Sequence, residues 1–433
     1  MTKHFKLACI GAAVLSAVAV NAHAAGFQLT EQSALGLGRA YAGIGVDGTD
    51  LSGIYYNPAT MTLHSGTAVQ AGLVGVGLNL EYKDDKGGVT ENGRKAPEVV
   101  PNLYFLHQAT DSVWLGLGIT APFGMSTEYN DNWAHNERGI SASVTTIDFN
   151  PNLAWKLNEK LSFGAGVSIQ YAQADLKMAK KAGNLELAQS EIDADSLAWG
   201  WNVGVMWTPV ENVRLGLSYR SKVKHDAKGD LTVNANTTLI DGILQAHPEM
   251  ADALGGLKAL NGVNPGYATL ATPAWVMATA AWDVNDAVSL YGTLRYADWS
   301  SFKKLDIQTE MAGHKVTASS VNNQWKDTWL GSVGADWRVT PAWTLRGGIG
   351  YETSAIDNPR TRTTIIPDAN RWWFTLGTSY KFTDNLQLDA SAAHLRGVGD
   401  RSVYSGENGS GEKVGEFERL DAYLLGVQMQ YRF

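Results

Sequence analysis

The sequence predicts an all-β fold: a transmembrane antiparallel β-barrel of about 14 strands. Three observations predict it. Apolar and polar residues alternate with a period of two along one segment after another. No apolar run reaches the ~18 residues of a membrane helix once the first two dozen residues are set aside. The chain ends on an alternating strand closed by an aromatic residue, Phe433.

Composition supports the same class. Hydrophobic residues make up 44% of 433, and mean hydropathy is −0.17. That is too polar for a helical membrane protein, but it suits a barrel whose lipid-facing and lumen-facing residues average out. The formal charge of −8 and the absence of a long basic run argue against a nucleic-acid partner. The one cysteine, Cys9, excludes an internal disulfide.

From the N-terminus, Lys3 and Lys6 precede an apolar stretch from Leu7 to Val20 and the small-residue site Ala22-His23-Ala24. This reads as a secretory signal covering residues 1–24, cleaved after Ala24. Residues 25–66 lack strand alternation and stand apart from the barrel as an N-terminal segment. The barrel is expected over 67–433. In Leu161 to Tyr171, Leu161, Phe163, Val167 and Ile169 alternate with Ser162, Gly164, Ser168 and Gln170. Side chains of a strand point to opposite faces in turn, so each such segment has one apolar and one polar face. A soluble sandwich alternates as well. Here, however, Trp329/Trp337, Trp343/Tyr351 and Trp372/Tyr380 bracket their apolar stripes. Eight residues at ~3.4 Å each span roughly 27 Å. Tilted, that matches an apolar band of ~25 Å with aromatic girdles. Turns such as Asn158-Glu159 read as periplasmic, and longer connections near 121–142, 176–196, 225–269, 354–370 and 396–420 as extracellular. Within 225–269, Ile243, Leu244, Leu254 and Leu257 recur at helical spacing, broken by Pro248. They are expected either to offer a hydrophobic landing groove or to pack the loop against itself. On the last strand Tyr423, Leu425, Val427, Met429, Tyr431 and Phe433 share one face.

Other chemistry is poorly supported. Gly43-x-Gly45-x-x-Gly48 fits a dinucleotide fingerprint only as a string, with no preceding strand. The histidines are scattered and sit in no nucleophile or metal motif, so no enzyme, metal or cofactor is expected. A general diffusion porin would carry no N-terminal plug.

Several motifs bear a family likeness. They are Ala25-Gly26-Phe27-Gln28-Leu29, Ser33 to Gly43, Asn57-Pro58-Ala59, Pro122-Phe123-Gly124, Gly200-Trp201-Asn202-Val203-Gly204, Tyr219-Arg220-Ser221 and Ile366-Pro367-Asp368. Together they span almost the whole mature chain, which resembles the FadL-type outer-membrane long-chain fatty-acid transporters. The resemblance implies a 14-stranded barrel in the Gram-negative outer membrane with its hatch, residues 25–66 here, inside. It implies capture of a hydrophobic molecule in a loop groove and an inner pocket, then passive release into the membrane lipid where the third strand is kinked. Pro122, Phe123 and Gly124 fall at that kink. Pro lacks a ladder donor and Gly weakens a strand; the simpler reading is that Pro122 just ends the strand. Phe27 becomes the gate, and Asn57, Pro58 and Ala59 the hatch anchor. Lys326 falls at a basic position near the pocket, a head-group ligand unless it pairs with Asp327. A second basic position falls at Met178, beside Lys177, which admits relatives that carry aromatic hydrocarbons or alkanes. Phe433 resembles the C-terminal signal read by the barrel assembly machinery. The expected ligand is a long-chain fatty acid or another hydrophobic small molecule.

Overall fold

The computed structural model describes residues 26–85, 90–91, 97–183, 185–311, 313–405 and 410–433. The expected signal peptide and cleavage site lie outside the described residues. Alternation turns into fourteen antiparallel strands, several of them interrupted. They are β1 (Thr67–Asp84), β2 (Glu98–Gln108), β3 (Val113–Thr120 and Gly124–Glu128), β4 (Ser141–Asn158), β5 (Leu161–Ala182), β6 (Leu185–Val210) and β7 (Val213–Arg220 and Val223–Ala235). Then come β8 (Gly262–Thr272 and Trp275–Asp283), β9 (Val288–Ala297 and Lys304–Met311) and β10 (His314–Asn322 and Thr328–Arg338). The last are β11 (Trp343–Glu352), β12 (Asn370–Lys381), β13 (Leu386–Val398 and Ser402–Tyr404) and β14 (Lys413–Arg432). Each strand pairs with the next. β14 pairs back onto β1 from Ala68↔Arg432 to Asp84↔Gly415, so the sheet closes on itself with no terminal edge strand.

The two faces separate as the pattern requires. On β14, Leu425 is 70% exposed while Gln428 and Gln430 are 2% exposed. An apolar exterior over a polar interior is the signature of a barrel in lipid. No helix among the described residues is long and apolar enough to cross a membrane.

The lumen is filled. Residues 26–66 fold inside it as two single-turn helices, α1 (Ala34–Leu37) and α2 (Gly53–Tyr56), and two 3-10 turns, Ile44–Val46 and Pro58–Leu63. Ser33 Oγ caps α1 by accepting from Gly36 N at 2.8 Å. Close approach to the wall explains some inward glycines. A Cβ on Gly164 would stand 2.5 Å from Ala59 N, and one on Gly348 2.3 Å from the Arg39 carbonyl carbon.

The strands outrun the expected loops. β5 and β6 run through much of 176–196, β7 continues to Ala235, and β8 resumes at Gly262. Above the lipid band the outer face meets water, so it loses the apolar stripe that marked the strands in the sequence. Between β7 and β8 the helices α3 (Thr237–Ala246) and α4 (Ala251–Ala259) flank the turn at Pro248.

Candidate functional site

β3 breaks at Ala121-Pro122-Phe123. Its pairing with β2 ends at Leu103↔Ile119, and Gly124–Glu128 pairs with β4 alone. Phe123 N donates to Thr146 Oγ1 at 2.9 Å, holding the interrupted chain against β4. The tip of the hatch lies against the other side. Leu29 N donates to Pro122 O at 2.8 Å, and Gly124 N to Phe27 O at 2.9 Å. Gln28 and Phe123 form an antiparallel bridge. Gln32 Nε2 adds a bond to Ala121 O at 2.7 Å. Backbone groups that β2 leaves unpaired are thus met by a segment that is not part of the wall.

Phe27 ends that segment in an aromatic cage. Its ring lies 4.8 Å from Trp299, 5.8 Å from Phe302, 5.9 Å from Trp325 and 6.0 Å from Phe123. Gly26 precedes it at φ +67, where a Cβ would also meet Trp325 at 2.7 Å; glycine is the residue that tolerates both. Gly26 N donates to Asp368 Oδ2 at 3.2 Å. Asp368 also holds Ala355 N and Arg371, tying the hatch tip to β12 and to the 354–370 loop.

Phe27 forms one boundary of a cavity of about 790 Å³. Met125, Val144, Leu176, Ile192, Leu270 and Ile307 make its walls, and Ile365 and Ile366 reach in from a loop. Outside it opens a vestibule of about 1460 Å³ that shares Val321 with the cavity. Arg138, Lys180, Lys303, Lys304, Arg360 and Arg362 line this vestibule against one carboxylate, Glu137. Lys180 donates to Ser319 Oγ at 3.2 Å.

Lys326 stands elsewhere. It lines neither space and pairs with Asp357 at 3.3 Å, while Asp327 accepts instead from Tyr296 Oη and Ser300 N. Met178 lines the vestibule, and Lys177 pairs with Asp131 at 2.9 Å. Ile243, Leu244 and Leu257 pack against the buried cluster of Leu187, Ile240 and Leu254, so much of the loop's apolar surface turns on itself. Asn57 donates to Gly45 O at 2.9 Å and to the wall at Val205 O at 3.1 Å, while Pro58 and Ala59 pack over Gly164.

The sequence reading missed the charges that hold the hatch. Arg39, fully buried, pairs with Asp47 and, at 3.1 Å, with Asp336 of β10. Glu31 is 1% exposed near Glu352, Arg295 and Arg371. Burial first, then the Glu352 carboxylate, pushes its carboxyl up to about 7, against the pull of the two arginines. A raised carboxyl means the folded chain keeps a proton that the unfolded chain releases. Its stabilisation is full below the ordinary glutamate range and is lost as pH rises through about 7. Glu31→Gln is therefore expected to flatten the fall in stability from pH 5 to pH 8, read by denaturant unfolding in detergent at each pH.

A model of the family described as "Outer membrane protein transport protein (OMPP1/FadL/TodX)" matches residues 15–433. The chain belongs to this family. It is an outer-membrane transporter of hydrophobic compounds. The 47 kDa outer membrane protein of Pasteurella multocida is 30% identical over 98% of this chain and 97% of its own. The long-chain fatty acid transport protein of Salmonella typhi is 29% identical, with the same coverage. Among solved structures, a Pseudomonas aeruginosa FadL homologue superposes with a TM-score of 0.81 at 23% identity, covering 94% of this chain and 100% of its own. The toluene transporter TodX of P. putida gives 0.69 at 17%, covering 92% and 98%. These two likenesses concern the fold.

Proposed function

We propose that this protein takes up long-chain fatty acids by gradient-driven diffusion. The acyl chain enters the apolar cavity, and the molecule leaves sideways through the break in β3. The observation that carries this reading is the pairing of that cavity with a cationic vestibule. The cavity is walled almost wholly by apolar side chains from several strands, among them Met125, Val144, Leu176, Ile192 and Leu270. Burying each CH₂ there contributes about 0.8 kcal/mol, enough to hold a long chain. A carboxylate entering with it loses water and needs donors. Six cations around the mouth supply them, and a neutral aromatic hydrocarbon would need none. Motion of Phe27 out of its cage would join the cavity to the wall break, where Leu29, Phe27 and the Gln32 carboxamide hold the hatch tip through four hydrogen bonds. The hatch is residues 25–66, with Asn57, Pro58 and Ala59 as its anchor to the wall. The fatty-acid reading also agrees with the printed name of the Salmonella relative.

Uptake of radiolabelled oleate and toluene by a transporter-deleted host expressing this chain tests the reading. Oleate is expected to enter and toluene not. Lys180→Ala is expected to weaken oleate uptake more than Lys326→Ala, because Lys326 is already engaged by Asp357. Entry of toluene alone would overturn the fatty-acid reading.

A further inference from the structure

The cavity is not uniformly apolar. His225 and Asn323 both line it, and each is 1% exposed. They lie on one stretch of wall, bracketing apolar residues. His225 sits opposite Leu270 across β7 and β8, while Leu305 sits opposite Val321, two residues before Asn323. His225 Nε2 lies 2.9 Å from Gln170 Oε1. With Gln170 Oε1 as the acceptor, a neutral His225 carries its proton on Nε2, and Nδ1 presents a lone pair. That Nδ1 is buried and has no partner among the described residues. Nor has the Asn323 side chain, whose Nδ2 and Oδ1 are both buried and unpaired. Buried polar groups are normally satisfied, and three orphan atoms around one cavity call for an explanation.

A hydrocarbon chain alone leaves all three atoms unpaired and covers them from water, which weakens its own binding. An ionised carboxylate or a carbonyl could accept from Asn323 Nδ2, but neither can donate to His225 Nδ1. A hydroxyl can. We propose that the cavity selects hydroxyl-bearing hydrophobic ligands: His225 Nδ1 accepts the hydroxyl proton, and the Asn323 carboxamide takes an oxygen function at the other end of the apolar strip. For acyl ligands this rests on the reading above, that the chain occupies this cavity. A hydroxylated fatty acid is the class that satisfies both: its carboxylate, held among the vestibule cations, accepts from Asn323 Nδ2 beside the Val321 that both spaces share, and its chain hydroxyl donates to His225 Nδ1.

The test is competition binding to the full purified chain in detergent micelles. Stearate, 10-hydroxystearate and 12-hydroxystearate form one arm, and toluene and p-cresol the other. At least one hydroxystearate is expected to bind about tenfold more tightly than stearate, the worth of one well-made buried hydrogen bond. His225→Leu is expected to abolish that preference while stearate binding is kept or improved. His225→Gln, which restores an acceptor, is expected to recover part of it. Heat-modifiable gel migration confirms that each variant is folded, and Asn323→Leu gives an independent reading should His225→Leu fail to fold. Equal binding of stearate and both hydroxystearates by the wild type would overturn the proposal, as would a preference that survives both leucine variants. If no acyl ligand competes, the fatty-acid reading fails; preference for p-cresol over toluene then still supports the hydroxyl site, and its absence overturns it.

Discussion

Replacing Pro122 and Gly124 together by valine is expected to cut uptake of the hydrophobic substrate at least about tenfold while ligand capture and the barrel survive. The interruption of β3 has a local cause. Pro122 has no N–H to give the ladder, and glycine is a poor strand residue. The result is a gap bordered by two half-paired strands. In the sheet ladder Glu98–Asn102 of β2 pair with β1, and Gly124–Glu128 pair with β4. Unpaired backbone is costly next to lipid, so some partner must meet it. The hatch tip does so through Leu29 and Phe27. A valine pair restores the missing donor and raises strand propensity, which favours a continuous β2–β3 ladder over the hatch contact. Tenfold in rate corresponds to about 1.4 kcal/mol, a modest demand on one or two regained ladder bonds. The measurement pairs oleate uptake in cells with oleate binding to purified protein. Binding kept with uptake lost locates the release route at the gap. Uptake unchanged with the barrel folded would mean that release runs elsewhere.

Legibility in the sequence followed the solvent. Where lipid covers the outer face, alternation is strong, and the stretches Trp329 to Trp337, Trp343 to Tyr351, Trp372 to Tyr380 and Tyr423 to Phe433 could be read almost residue by residue, whereas Lys413 to Leu420 of β14 reads as loop. Where water covers it, the outer face turns polar and the strand looks like loop. The upper half of β7 shows what was lost. Val223, His225, Ala227, Leu231 and Val233 keep a period of two on the inner face, and that signal could have placed His225 inside the barrel. The gap at Pro122 was visible because proline acts on its own backbone. The vestibule was not, because its six cations come from well-separated parts of the chain and meet only in space. Lys326 illustrates the converse. Its neighbour Asp327 suggested one partner, but the chain folds back to supply Asp357. The hatch was legible only through resemblance, since its short turns have no periodicity and owe their shape to the wall around them.

Arg39 shows how that wall holds the hatch, and its loss should be the most damaging single change. The guanidinium is fully buried between Asp47 of the hatch and Asp336 of β10, and lies over the Tyr291 ring at 3.9 Å. Asp336 in turn receives Arg346 at 3.3 Å, and Arg346 approaches Asp389 at 3.6 Å. Arg39→Met keeps much of the volume but leaves Asp47 buried without its cation. Removing one member of such a pair costs about 3–5 kcal/mol, because the remaining charge stays out of water. Asp336 suffers less, since Arg346 remains. The loss should therefore fall on the hatch rather than on the barrel, whose ladder closes without it. Limited proteolysis is expected to cut the hatch of Arg39→Met under conditions where the wild type is resistant, with the barrel band intact on gels. Arg39→Met combined with Asp47→Leu removes both charges and is expected to regain part of the protection, because an apolar pair in the same space carries no stranded ion. Equal protease resistance of Arg39→Met and wild type would show that packing alone seats the hatch.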